Sequence, residues 1–110
     1  MEVIKISEDF YNRLANRNDR QGDGSHNAIE FRNKYLKKCE NQEFWKGNEI
    51  ITFDFSGVEK IGPSFANEAF AYFLKYTDPK TLKSKIKFIN TTKVQSLIID
   101  EEIKSGYSHR

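Results

Sequence analysis

The chain has one cysteine and two prolines in 110 residues, and its apolar runs are only a few residues long. Cys39 alone excludes an internal disulfide and offers a zinc ion no second thiol, which predicts a reducing, cytoplasmic setting. Without a run of about 20 apolar residues, no transmembrane helix is expected. The polar start EVIKIS lacks the basic-then-apolar order of a secretory leader. Charge of one sign is scarce as well, with 18 Lys and Arg interspersed among 16 Asp and Glu for a net of +2. That balance gives little field for phosphate backbone, so nucleic-acid binding is not expected.

Aromatic residues are plentiful, with nine Phe, five Tyr and one Trp, enough for one core in a chain of single-domain length. The whole of 1–110 is therefore read as one domain. Val3, Ile4 and Ile6 predict an opening strand, followed by a helical turn carrying Phe10, Tyr11 and Leu14. Asn16 to His26, polar and glycine-containing, predicts a loop. Ala28, Phe31 and Tyr35 share a helical face, predicting a helix from Asn27 to about Cys39. The β-branched and aromatic run Glu49 to Phe55 predicts a buried central strand. Pro63 suits a first helical turn, and Phe65, Ala66, Ala69, Phe70, Phe73 and Tyr76 predict a helix to about Lys75, broken by Asp78-Pro79. Lys85 to Asn90 alternates as a half-exposed strand does. Thr92 and Gln95 then form a capping-box pattern ahead of a last helix with Val94, Leu97, Ile98 and Ile103, ending near Gly106. The predicted core is Ile51, Phe53, Phe55, Ala66, Ala69, Phe70, Phe73, Phe88, Leu97 and Ile98.

The stretch ITFDFSGVEKIGPSFANEAFAYFL joins the central strand to its helix through an acidic turn rich in Ser and Gly. It resembles the STAS domains, named after sulfate transporters and anti-sigma-factor antagonists, and more closely the bacterial STAS-like domains of unassigned function in which DFSGV precedes a Ser-Phe-Ala helix start. The resemblance covers residues 49 to 74 well and the first 48 only loosely. It implies an α/β fold with a small mixed sheet covered by helices. In the antagonist branch a partner ATPase of the histidine-kinase-like fold phosphorylates a serine before this helix and so dissociates the complex. Laid on this chain, the family's Asp-Ser-Ser-Gly motif falls on Gly62, Pro63, Ser64 and Phe65. The usual phosphoacceptor position is then Pro63, which has no hydroxyl, and Ser64 stands next to it.

The leading expectation is a regulatory module, not an enzyme, that binds a protein partner, by resemblance a kinase-like ATPase. Its surface would comprise Asp54, Ser56, Gly57, Gly62, Pro63 and Ser64 in the turn, with Ser64, Glu68, Ala71 and Lys75 as a stripe opposite the Phe face. Ser64 is the possible phosphoacceptor, since a helix N-terminus tolerates negative charge; the plainer reading is a helix-capping or first-turn hydroxyl. Asp54 reads as a phosphoacceptor, a metal ligand or, most simply, an anchor for the backbone N–H two residues on. The alternative function is a nucleotide- or small-ligand-binding domain with the anion at the helix start near Ser64.

Other constellations are weaker. Glu8, Asp9 and Asp54 invite comparison with phosphoryl-accepting receivers, but the expected topology lacks the further strand and strand-end lysine that these require. His26 and His109 lie in polar segments with no metal or triad spacing. Cys39 reads as a small core hydrophobe. Gly22 and Gly24 do not follow a strand as a phosphate loop does. Arg17 and Arg20 could clamp an anion, but a solvated loop is the expected reading; Phe44 and Trp45 are expected to cap the core edge, with partner contact as the lesser reading. No cofactor, metal or catalytic residue is expected.

Overall fold

A computed structural model describes residues 2–17 and 26–108. The central strand is the element with every residue buried, Ile51–Asp54, and the fold is built outward from it. In chain order the elements are β1 (Glu2–Lys5), α1 (Ile6–Asp9), β2 (Arg13–Leu14), α2 (Ala28–Tyr35), a 3-10 turn (Lys37–Glu40), α3 (Gln42–Lys46), β3 (Ile51–Asp54), β4 (Lys60–Ile61), α4 (Pro63–Ala69), a second 3-10 turn (Ala71–Lys75), α5 (Pro79–Lys85), β5 (Ile86–Ile89) and α6 (Lys93–Ser105).

The main sheet has the order β1-β3-β5. Phe53 lies beside Ile4 on one side and Phe88 on the other, and both pairings are parallel. A second parallel pair joins β2 to β4, with Leu14 opposite Ile61. The expected α/β, STAS-like class holds, but the sheet is parallel throughout the described residues, not mixed. Parallel neighbours need crossovers, and helices supply them.

Aromatic packing fills the space between sheet and helices. Phe31 of α2 is fully buried, with Phe53 at 5.1 Å, Phe65 at 5.4 Å and Phe70 at 5.7 Å between ring centroids. Cys39 is buried, as expected of a core hydrophobe, and burial raises its thiol pKa to about 12. Phe44 and Trp45 are buried in α3, where the Trp45 indole N–H donates to the Cys39 carbonyl at 2.7 Å.

Several expectations need correction. The helical turn expected to carry Phe10, Tyr11 and Leu14 ends at Asp9, and Arg13–Leu14 is a strand held by β4. Asp78-Pro79 starts a helix as well as breaking one: the Asp78 side chain accepts from Thr81 N and caps α5. The helix expected from Pro63 to Lys75 is α-helical only to Ala69, then tightens to 3-10, which lets Phe73 pack on Trp45 and Tyr72 on Arg32. In α6 the capping box forms as expected, but the inward positions are Gln95, Ile99 and Ile103. Leu97 is 60% exposed, and Phe88 and Ile98 are only partly buried. Of the loop expected over Asn16–His26, residues 18–25 lie outside the described residues, and with them Arg20, Gly22 and Gly24; so does His109. His26 is not simply solvated, since it stacks on Tyr11 with centroids 4.2 Å apart. Among the described residues no helix is long and apolar enough to cross a membrane.

Candidate functional site

Strand β3 ends in Asp54, and this carboxylate organises the turn that follows. Its Oδ1 accepts from the Ser56 N–H at 2.9 Å, the Ser56 hydroxyl at 2.7 Å and Asn90 Nδ2 at 2.9 Å. Asn90 reaches it from the end of β5 with a positive φ of 58°, a conformation Asn tolerates better than most residues. The Asn90 hydrogen bond, with those from Ser56, lowers the Asp54 pKa from 3.8 to about 2. Asp54 is therefore the structural anchor, and among the described residues no three metal-capable side chains come together. Glu8 is engaged elsewhere, with Lys5 at 3.0 Å.

Beyond Asp54 the turn is held at each step. Gly57 has φ 83°, and a Cβ there would lie 2.7 Å from the Ser7 hydroxyl oxygen; that hydroxyl donates to the Ser56 carbonyl at 2.7 Å. Glycine is needed on both counts. Val58 is buried, and its carbonyl accepts from the buried Gln95 side chain at 3.0 Å. Glu59 N donates to the Asn12 carbonyl and Gly62 N to the Leu14 carbonyl, each at 2.7 Å. These bonds fasten the turn to the segment after β1 and to α6. Its outward side, Ser56, Gly57, Glu59, Lys60 and Pro63, remains exposed.

The start of α4 makes Ser64 a first-turn hydroxyl and not a cap. The N-cap is Gly62, no side chain caps the helix, Pro63 takes the first helical position and half-buried Ser64 the second. The proposed stripe is corrected. Lys75 is exposed, but Glu68 is 2% exposed and Ala71 is buried, because α2 and the C-terminal segment cover this side of α4.

What covers Glu68 is an ion-pair network. Arg17 Nη1 donates to Glu68 Oε1 at 2.6 Å and Arg32 Nη1 to Oε2 at 2.5 Å. The Tyr107 hydroxyl lies 3.1 Å from both oxygens. Burial alone would raise the Glu68 pKa; the two guanidinium groups and the tyrosine outweigh it, and the net direction is down. Beside Glu68, the Asn67 amide donates to the Gly106 carbonyl at 2.9 Å and accepts from Ser108 N at 3.0 Å. The Arg32 guanidinium carbon stacks 3.6 Å over the Tyr72 ring, and Lys75 Nζ stands 4.1 Å from the same ring. Arg17, expected in a solvated loop, is thus buried against α4.

Asp54, Ser56 and Gly57 come together in the turn after β3, whereas Gly62, Pro63 and Ser64 form the start of α4, and strand β4, which the sequence pattern did not predict, stands between them. The Arg17, Arg32, Asn67 and Tyr107 network was not legible in the sequence, because its members lie far apart in the chain. Nor was Gln95 as a support of the turn, although its place in the capping box was visible.

No curated protein and no solved structure matches the chain significantly. The model of the family described as STAS-like domain of unknown function (DUF4325) matches residues 27–95, from the cap of α2 into α6. The turn from Asp54 to Ser64 lies inside that span, and the chain belongs to this STAS-like family.

Proposed function

We propose that the domain is a regulatory protein-binding module, not an enzyme, and that its contact surface is the outward side of the turn from Ser56 to Ser64. One observation carries the reading: the turn is fastened by Asp54, Asn90, Gln95, Asn12 and Leu14, yet Ser56, Gly57, Glu59, Lys60 and Pro63 point to solvent. A stiff, exposed loop on a sheet scaffold binds a partner with little ordering cost. Glu68 and Ala71 drop out of the surface because they are buried. The STAS-like resemblance supports a histidine-kinase-like ATPase as partner and Ser64 as the hydroxyl that such a kinase modifies. A phosphate there would add nearly two negative charges at the edge of the surface.

The alternative, a nucleotide anion held at the start of α4, has less support, since Pro63 has no N–H to offer and the helix has only seven residues. The test is a pair of substitutions read by thermal stability and by affinity for the co-purifying partner. Ser64→Glu is expected to weaken partner binding with the fold intact, and Ser64→Ala to leave both nearly unchanged. Unchanged affinity in Ser64→Glu would remove this turn from the interface, and a large stabilisation by nucleotides would favour the ligand reading.

A further inference from the structure

The outer edge of β5 and the first half of α6 carry features that the turn surface does not use. Between Asp78 and Asp100 the chain contains Lys80, Lys83, Lys85, Lys87 and Lys93 and no acidic residue. With a whole-chain excess of only +2, the rest of the molecule is net negative. Lys85 is buried, donating to the Gly47 carbonyl at 2.7 Å, and Lys83 bridges to Asp100 at 2.8 Å. Lys80 near the start of α5, Lys87 within β5 and Lys93 at the start of α6 are exposed. The same stretch holds three strongly exposed apolar side chains, Ile89 at 41%, Val94 at 66% and Leu97 at 60%. Between β5 and α6 lies a cavity of about 220 Å³ against Ile86, Phe88 and Ile99, with Ser96, Lys87 and the paired Lys83 and Asp100 completing its lining.

β5 is the last strand of its sheet, and among the described residues its backbone pairs only toward β3. Such an edge offers a row of N–H and C=O groups to an incoming strand. We propose that this edge is a docking site for an extended acidic segment of a partner protein, with alternating carboxylate and apolar side chains. The backbone would pair with β5, the carboxylates meet Lys80, Lys87 and Lys93, and an apolar side chain enters the cavity beside Phe88. A second copy of this chain is disfavoured as occupant, because self-pairing through β5 sets lysine edge against lysine edge. A nucleic acid would satisfy the lysines but neither the strand edge nor Val94 and Leu97. The site is separate from the Ser56–Ser64 surface and stands or falls independently of it.

The test uses the full chain and a fluorescent peptide of alternating Glu or Asp with Val or Ile, a copy with a central proline, and a DNA duplex. Saturable binding is expected for the first peptide, with amide exchange slowed at Ile86–Ile89. Lys87→Glu, or Lys93→Glu should the first variant not fold, is expected to weaken it at least about tenfold, on the order of 1.4 kcal/mol. The proline copy is expected to lose a similar factor, and Ser64→Glu to change nothing. Absence of saturation, equal binding of the proline copy, or tighter binding of the duplex would overturn the proposal.

Discussion

Arg17 Nη1 meets Glu68 Oε1 at 2.6 Å with both side chains buried, although 51 residues separate them. The contact ties the segment after β2 to α4, and Arg32 closes the other carboxylate oxygen from α2. A carboxylate that neutralises two buried guanidinium groups is hard to remove. Glu68→Ala is expected to cost roughly 3–5 kcal/mol, as loss of one partner from a buried ion pair does. Glu68→Gln should fall between that and the wild type, and chemical denaturation of the two variants checks the order.

Stability should fall in acid with contributions from three carboxylates, Asp54, Glu68 and the α5 cap Asp78, whose pKa its hydrogen bond from Thr81 N also lowers. The folded pKa of Asp54 is lowered from 3.8 to about 2, by Asn90 first and then Ser56, and that of Glu68 is also lowered. A depressed folded pKa gives stability that is fully present above the unfolded value and lost as pH falls through the folded one. The contribution of Asp54 should therefore vanish between about pH 4 and pH 2. In Asp54→Asn the decline over that window should flatten, and denaturation midpoints measured at successive pH values would show it.

Gly57 combines a positive φ with a missing Cβ. Gly57→Ala is expected to destabilise by about 1–3 kcal/mol, from backbone strain and the collision with Ser7. Adding Ser7→Ala should recover only part, since the clash is relieved and φ is not. Full recovery in the double variant would show that backbone strain is negligible.

The phase of α6 separates two substitutions of similar chemistry. Ile99→Ala should cost about 2–5 kcal/mol because Ile99 is buried, while exposed Leu97→Ser should stay within about 0.5 kcal/mol. Thermal unfolding of both variants tests this. The sequence pattern groups Ile103 with Val94, Leu97 and Ile98, whereas in α6 Ile103 shares the inward face with Ile99. The choice of face falls to Gln95, whose side chain accepts from Thr92 N at 2.9 Å and donates to the Val58 carbonyl, turning its face inward.

Local chemistry made other parts of the fold legible. The central strand, the start of α4 at Pro63 and the Asp54-to-Ser56 anchor all depend on residues a few positions apart. The Glu68 network was hidden for the opposite reason: an acidic residue on a helix reads as solvent-facing until its partners are known, and those come from residues 17, 32 and 107. The same blindness explains why Glu68 and Ala71 were expected at a partner surface.

Amide hydrogen exchange of the domain, alone and in complex with a purified protein partner, distinguishes contact at the turn from contact elsewhere. Slowed exchange is expected over residues 56–64, with little change in the α2 and α4 amides beneath the Glu68 network. Complex formation with exchange over residues 56–64 unaltered would contradict contact at the turn.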